Sequence, residues 1–265
     1  MSKLTLVSTG AGGDKYISCE AKEALKQADI IVGYTKYLKD IKDYIKDKET
    51  YSTGMTKELQ RVQYAIDKAL EGKNVVLVSN GDANIYGMGS LVVELLDTLN
   101  LWDKIEYNSI AGISSILALA SEIGAPLSQD LALISLSDRL TDFDLIQKRI
   151  SLSLQADFVI AIYNPKSKSR LKPYEEFLEK LKNYQDRVVV VATNLGREKQ
   201  TIKVISAKEL IDAGVLNEDV NMSTTILVGN STTKLTKNNL VLTPRGYLNK
   251  YDLEGNEKEN FAKIS

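Results

Sequence analysis

The chain reads as an α/β protein of two lobes, a mostly parallel sheet followed by a mixed one. Three observations predict this. Short β-rich runs alternate with stretches of helical periodicity in the N-terminal half, the spacing between strands changes after the segment SIAGISSILALASEIGAPL, and glycine-rich or acid-bearing turns follow several apolar runs. At 265 residues the chain is long enough to bury at least one large core.

Taken in order, strands are expected at 4–8, 30–33, 74–79 and 104–108, with helices between most of them. Between residues 56 and 71, Leu59, Val62, Ile66 and Leu70 recur at steps of three and four. That pattern predicts a core-packing helix with Thr56 as its N-cap and Gly72 as its stop. Further strands are expected at 131–136, 157–163, 187–193, 201–205, 224–228 and 240–242. Short turns join several of these, so antiparallel pairs are expected in the second sheet. The predicted lobes are residues 1–113 and 114–246, with the crevice between them as the natural ligand site. A polar tail, 247–265, has little apolar content and is expected to fray or pack loosely.

Composition removes several classes of function. Lys plus Arg total 34 against 35 Asp plus Glu, so no global field points to nucleic acid or to an anionic membrane surface. There is no histidine, the usual general base near neutral pH and the commonest metal ligand. The single cysteine, Cys19, precludes an internal disulfide or a cysteine metal cage and fits a helix face in a reducing compartment. No bound metal is expected. The apolar part of MSKLTLVSTG is too short for a signal peptide and no apolar run approaches about 18 residues, so a soluble cytoplasmic protein is expected.

Candidate sites fall at predicted strand ends, where open α/β sheets bind ligands. STGAGGDKYIS follows the first strand, but Ser8 occupies the first glycine position of a dinucleotide fingerprint and the next strand, IIVGY, ends without an acid for a ribose. A ligand without phosphates suits the loop better, and S-adenosylmethionine is one. In NGDANIYGMG, Gly81 permits close backbone approach, Asp82 can accept hydrogen bonds, and the amides of Ala83 and Ile85 are expected to bind polar groups of the ligand. The strand DFVIAIY ends at Tyr163 and Asn164, and Pro165 opens a loop with Lys166, Lys168 and Arg170. These cations suit carboxylates, although a solvated basic loop is the plainer reading. SLSDRLT places Ser137, Asp138 and Arg139 after another strand, and TPRGY places Arg245 after a late one. Each of these two taken singly reads as a turn.

The blocks NGDANIYGMG, ISLSDRLT, FVIAIYNPKSKSR, VGNSTT and LTPRGY, in this order and spacing, resemble the precorrin-3B C17-methyltransferase group of the tetrapyrrole methylases. The likeness runs from about residue 4 to residue 247, with YTKYL and STGM adding to it. The resemblance implies a two-lobed tetrapyrrole methylase fold, a homodimer, S-adenosylmethionine as cofactor and a corrin-pathway tetrapyrrole as substrate. It implies cofactor contacts at Gly10, Gly81, Asp82, Ala83, Ile85, Tyr86, Ser114, Ser115, Tyr163, Asn164, Asn194, Leu195 and Thr225. Arg139, Lys166, Lys168, Arg170 and Arg245 are the expected contacts to substrate carboxylates. The family's first loop is usually G-x-G-P-G; here Ser8 and Ala11 replace its first glycine and its proline, and the loss of proline predicts a more mobile loop. In the second motif Asn84 replaces a glycine.

The absence of histidine is compatible with such chemistry, because a sulfonium is already an activated methyl donor and transfer to carbon needs chiefly position. Contraction of the ring, the second event the resemblance implies, needs proton transfer, and Asp82, Asp138 and Tyr163 are the candidate catalytic groups. Rival readings are a family member acting at another ring carbon, the related RNA and diphthamide methylases, and a noncatalytic tetrapyrrole carrier. Near-zero net charge speaks against RNA.

Overall fold

A computed structural model describes residues 2–261 and 263. They form two units. The first runs through Ala118 and also takes in Leu195–Lys199; the second comprises Leu119–Asn194 and resumes at Gln200. The boundary therefore falls inside a helix rather than in a linker, and one short segment returns to the first unit after most of the second unit's sheet has been laid down.

The first unit contains β1 (Ser2–Ser8), α1 (Cys19–Gln27), β2 (Ile30–Tyr34), α2 (Thr35–Asp40), β3 (Glu49–Thr53), α3 (Glu58–Leu70), β4 (Asn74–Ser79), α4 (Gly89–Thr98) and β5 (Ile105–Ile110). Its sheet has the order β3-β2-β4-β1-β5 and every pairing is parallel. Alternation along the strands sends Leu4, Leu6, Ile30, Val32, Val75 and Leu77 to one face, against α3 and α4, and Val7, Ile31, Val76 and Val78 to the other, against α1 and α2. Both faces are covered, which is why these strands read as continuous apolar runs.

The helix expected at 56–71 forms as α3 and Gly72 follows its end with φ 89°, but the buried face is Val62, Ala65, Ile66 and Ala69, with Leu59 and Leu70 of the expected stripe exposed. Thr56 is not its cap. Thr56 has φ 64°, the N-cap position is Lys57, and no side chain caps the helix there. The edge strand β3 went unpredicted because it reads Glu-Thr-Tyr-Ser-Thr and buries only Thr53.

The second unit begins within α5 (Ser115–Ile123) and continues through β6 (Gly124–Ala125), β7 (Leu131–Ser135), α6 (Phe143–Gln155), β8 (Val159–Tyr163), α7 (Lys172–Leu181), β9 (Val188–Thr193), β10 (Thr201–Ser206), α8 (Ala207–Ala213), β11 (Thr224–Val228), β12 (Lys234–Leu235), β13 (Val241–Leu242) and α9 (Tyr247–Lys250). Its main sheet has the order β10-β9-β11-β8-β7, with β7 parallel to β8 and the other pairs antiparallel. A small sheet, β12-β13-β6, accompanies it. Tyr174 and Phe177 of α7, with Ile146, Ile150 and Leu154 of α6, fill the core against Ile160, Ile162, Val189, Val191 and Ile226. The tail carries more order than its composition suggests: α9 is followed by a turn in which Tyr251 pairs with Glu257 and Lys258 donates to the Lys250 carbonyl at 2.9 Å. Among the described residues no helix is long and apolar enough to cross a membrane.

Candidate active site

In the first unit the chain leaves β1 in one direction across the sheet order, toward β2, and leaves β4 in the other, toward β5. The helices that follow pack on opposite faces, α1 with Val7 and Val76, α4 with Leu6 and Leu77. The carboxyl ends of β1 and β4 are therefore the topological switch point, where an open α/β sheet leaves a crevice for a ligand.

Three strand ends meet there. Gly10, after β1, and Gly81, after β4, form an antiparallel bridge, with Gly81 N donating to Gly10 O at 2.7 Å and Gly10 N to Gly81 O at 3.1 Å. Gly112, after β5, lies so close that a Cβ on it would stand 2.2 Å from Gly81 O and 2.5 Å from Ser8 Cβ. Gly81 itself has φ 65°, and the nearest atom to a Cβ built there is Ser114 Cα at 3.9 Å. One glycine is thus required by its neighbours and the other by its backbone, and beside the second there is space.

The turn is satisfied from within. Asp82 Oδ1 accepts from Asn84 N at 2.8 Å and Oδ2 from Gly112 N at 2.9 Å, so this carboxylate clamps the end of β5 to the turn. The buried Ser8 hydroxyl accepts from Ala83 N at 2.9 Å, and Ile85 N donates to Asp82 O at 3.1 Å. This corrects the expectation that the amides of Ala83 and Ile85 bind the ligand: both already have acceptors. It also gives Ser8, a departure from the family loop, a definite task. Ser114, 2 % exposed, immediately precedes α5, which begins at the partly buried Ser115. Tyr86 is half exposed, with φ 53°.

Leu195–Lys199 closes over the first loop. Gly13 and Gly196 approach backbone to backbone, and a Cβ on Gly196 would stand 2.2 Å from Gly12 O. Ala11 is buried. The loop that lacks the family's proline is thus packed against Leu195–Lys199. Arg197 anchors the segment through Nε to Asp40 Oδ2 at 2.8 Å and Nη2 to Asn80 Oδ1 at 2.6 Å. Thr9, Gly12, Gly13, Asp14, Asp40 and Tyr44 line a cavity of about 360 Å³ on this side of the sheet.

In the second unit, β8 and β9 are both antiparallel to β11, so β7, β8 and β9 point the same way. One sheet edge consequently carries Ser135 to Arg139, Tyr163 with Asn164, Asn194, and the start of β11 with Thr225. Asn164, at φ 49°, donates through Nδ2 to Ser135 Oγ at 3.1 Å and ties two of these ends together. The cation loop behaves differently from its reading as a carboxylate receptor. Lys166 is buried and its ammonium donates to Val215 O at 2.5 Å and Asn217 O at 2.6 Å; burial pushes it below the ordinary lysine range, with Glu218 opposing. Arg170 donates to Leu136 O at 2.5 Å and Asn164 O at 2.7 Å, with Asp138 4.0 Å from its Nε. Of the loop's three cations, only Lys168 is exposed. Arg139 is exposed, and Arg245, also exposed, reaches Ser128 O at 3.3 Å.

The first unit thus brings together Gly10, Gly81, Asp82, Ala83 and Ser114, and takes in Leu195. The edge of the second carries Tyr163, Asn164, Asn194, Thr225, Asp138 and Arg139. Sequence reading missed Arg61, which is 2 % exposed on α3 and donates to Thr53 Oγ1 at 2.9 Å and Gly54 O at 3.0 Å. It also missed Arg197. An arginine inside a helical pattern looks like a solvated one, and neither position carries a local signal of burial.

A parallel sheet with this switch point, bearing a glycine and aspartate turn with open space beside Gly81, defines a class of α/β enzyme. Residues 3–211 match the family described as Tetrapyrrole (Corrin/Porphyrin) Methylases, and the chain belongs to that family. It is 41% identical over 92% of its length to the probable cobalt-factor III C(17)-methyltransferase of Salmonella typhimurium, of which it covers 99%. It is 40% identical over 97% of its length to the cobalt-factor III methyltransferase of Priestia megaterium, and spans 47% of that longer protein. Among solved structures, the methyltransferase CobJ is similar with a TM-score of 0.83 and 32% identity, covering 92% of this chain and 100% of that one.

Proposed function

We propose that the chain catalyses S-adenosylmethionine-dependent methylation of C17 of a precorrin-3B or cobalt-factor III type tetrapyrrole, with contraction of the ring, in corrin synthesis. The observation that carries this is the junction of Gly10, Gly81 and Gly112 at the switch point, in a chain whose near-full-length relative in Salmonella typhimurium carries the name of that reaction. The cobalt-containing substrate is favoured over the metal-free one because the relatives at 40% and 41% identity are both named for cobalt-factor III.

The residues present fit the cofactor at one decisive place. Beside Gly81 the Cβ direction is open, so a ligand can lie against the backbone, and the Asp82 clamp fixes that backbone before anything binds. Gly10, Gly81, Asp82, Tyr86, Ser114, Ser115 and Leu195 of the first unit, and Tyr163, Asn164, Asn194 and Thr225 of the second, are the residues assigned to hold it, with Ala83 and Ile85 shaping the turn through their own hydrogen bonds. When bound it supplies a methyl group already activated on a sulfonium. The protein's part is orientation: a turn with its own hydrogen bonds satisfied does not rearrange, and a fixed approach is worth far more than a mobile one. For contraction, Asp138 and Tyr163 are the groups assigned to move a proton, with Asp82 left to hold the turn. Arg139, Lys168 and Arg245 are assigned to substrate carboxylates, and the donors of Lys166 and Arg170 support the edge from behind.

Incubating the full chain with S-adenosylmethionine and each tetrapyrrole tests the reading: gain of one methyl group and a contracted chromophore, by mass and absorbance, is expected. A methylated product with the group on another ring carbon would move the chain to a sister activity. Failure to bind S-adenosylmethionine in calorimetric titration would leave a noncatalytic carrier. Homodimeric assembly and a cytoplasmic location belong to this reading as well, the first from the family resemblance and measurable by sedimentation.

A further inference from the structure

The carboxyl edge of the second unit's main sheet carries an apolar side chain that the surrounding structure holds in place. β11 starts where β9 ends, with Thr224 opposite Thr193, so the turn before β11 lies at the edge that also carries Tyr163 and Asn164. Met222 stands in that turn. Asn221 Oδ1 accepts from Ser223 N at 2.8 Å, Asn221 N donates to Thr224 Oγ1 at 2.9 Å, and Thr224 N donates to Asn221 O at 3.1 Å, a side-chain turn of the kind asparagine favours. The buried hydroxyls of Thr193 and Thr224 share a hydrogen bond of 2.7 Å, and Asn194 N donates to Ser223 O at 3.0 Å. The backbone of the turn is therefore tied to the end of β9.

The side chain is held as well. Arg170 Nη1 donates to Leu136 O at 2.5 Å, and the two hydrogens of Nη2 divide between Asn164 O at 2.7 Å and Met222 Sδ at 3.5 Å. An arginine anchored to the ends of β7 and β8 thus reaches a thioether at the start of β11. The first unit contains the same pairing in another setting: Arg61 Nη1 donates to Met88 Sδ at 3.7 Å, but Met88 is 7 % exposed and belongs to the core. Met222 is 40 % exposed. The first pair packs, and the second presents its methionine at a strand end, where ligands of α/β sheets bind.

A surface methionine ordinarily keeps its side-chain torsions free, and ordering it offsets part of any contact it makes. Holding the sulfur in advance removes that cost. A polarisable thioether suits the face of a conjugated ring, which it meets by dispersion and by sulfur–aromatic contact. Exposed cations stand at the same edge, Arg139 in the loop after β7 and Lys168 in the loop after β8. A fixed apolar contact among cations complements a flat macrocycle rimmed with carboxylates. A lone exposed methionine without that setting would be ordinary surface.

Resting on the reading that the substrate is a conjugated tetrapyrrole bearing carboxylates, we propose that Met222 lies against the apolar face of that macrocycle, with Arg170 as the positioning residue that aims it. The adenine of the cofactor also offers a flat face, so the test separates the two sources. Cobalt-factor III binding to the full chain is followed by absorbance and S-adenosylhomocysteine binding by calorimetry, for the unaltered protein, Met222→Ser and Met222→Leu, with melting curves on each.

Burying the exposed part of one methionine corresponds to roughly fivefold in affinity, the loss expected of Met222→Ser for the tetrapyrrole. Met222→Leu keeps the apolar volume without the sulfur and loses about twofold. Affinity for S-adenosylhomocysteine stays within about twofold in both. Arg170→Lys weakens tetrapyrrole binding about threefold with Met222 in place and has no further effect in Met222→Leu, because its action passes through the thioether. An equal effect in both backgrounds removes the positioning role; if Arg170→Lys does not fold, the Met222 variants alone decide. Unchanged tetrapyrrole affinity in folded Met222→Ser overturns the contact while leaving the methyltransferase reading intact. A loss confined to S-adenosylhomocysteine overturns it in favour of the adenine, and an equal loss for both ligands with a lowered melting temperature overturns it in favour of packing. If the unaltered chain binds no tetrapyrrole, both readings fall together.

Discussion

The turn after β4 and the loop after β8 use charge in mirror-image ways. In the first, the carboxylate of Asp82 receives two backbone N–H groups; in the second, the cations of Lys166 and Arg170 give their hydrogens to backbone carbonyls. Both ends of strand have outrun the sheet's own pairing, and in both a charged side chain replaces the missing ladder. A charge at a strand end therefore serves the fold before it serves a ligand, and the ligand meets what is left over. After β4 that is open space beside Gly81, and after β8 it is the exposed Lys168 with its neighbour Arg139.

The sharpest way to break the comparison is to spoil each kind of glycine at the first site. Gly112→Val drives a side chain into Gly81 O and Ser8, backbone and a buried serine that cannot swing aside. Overpacking of this kind costs on the order of 3 kcal/mol, and loss of both cofactor binding and thermal stability is expected. At Gly81 an added Cβ has only Ser114 Cα in ordinary contact, at 3.9 Å, but valine must hold φ 65°, for which about 1 to 2 kcal/mol is expected. Its fold should survive with cofactor binding abolished. Calorimetry and melting curves on the two variants decide the matter: unchanged affinity in folded Gly81→Val would make the turn structural only.

The second unit offers the next contrast. Lys166→Met leaves the carbonyls of Val215 and Asn217 without their donor, and a loss of about 1 to 3 kcal/mol in denaturant unfolding is expected. Lys168→Met removes an exposed cation and should leave stability within about 0.5 kcal/mol, while substrate affinity falls by up to about tenfold. If Lys168→Met destabilised the chain and Lys166→Met did not, the division of labour drawn above would be reversed.

How much of this was legible beforehand follows from where the determining contacts lie. The buried strands β1, β2, β4, β8, β9 and β11 announce themselves because apolar side chains on both faces leave continuous runs. β3 does not, since an edge strand of polar residues carries no such run. Asp82 was visible as a site residue, but its partner Gly112 N is 30 residues away and no local pattern reveals that contact. Lys166 was read as a surface cation for the same reason: its acceptors lie 49 and 51 residues further on. The return of Leu195–Lys199 to the first unit, and with it the Arg197 anchor to Asp40, is a property of the tertiary fold alone.

The smallest expected effect tests the division of chemistry at the second unit's edge. Asp138 is exposed, and its carboxylate stands 4.0 Å from Arg170 Nε, a guanidinium already held by Leu136 O and Asn164 O. Replacing it with asparagine keeps the shape and removes only a weak, solvent-screened ion pair, so stability should move by less than about 0.5 kcal/mol. Tyr163→Phe removes one hydroxyl at the end of β8. Methyl transfer depends on placement of the donor, which Asp138→Asn does not touch and for which Tyr163→Phe keeps the ring assigned to lie against it. Contraction of the ring requires a proton to move, and with no histidine in the chain a carboxylate or phenol must carry it unless the substrate supplies its own base. Both variants should therefore still release S-adenosylhomocysteine while a methylated, uncontracted ring accumulates, seen by mass and absorbance together with a count of methyl groups transferred. If methylation and contraction fell in parallel in both, Asp138 and Tyr163 would serve binding or packing, and the proton would have to come from elsewhere.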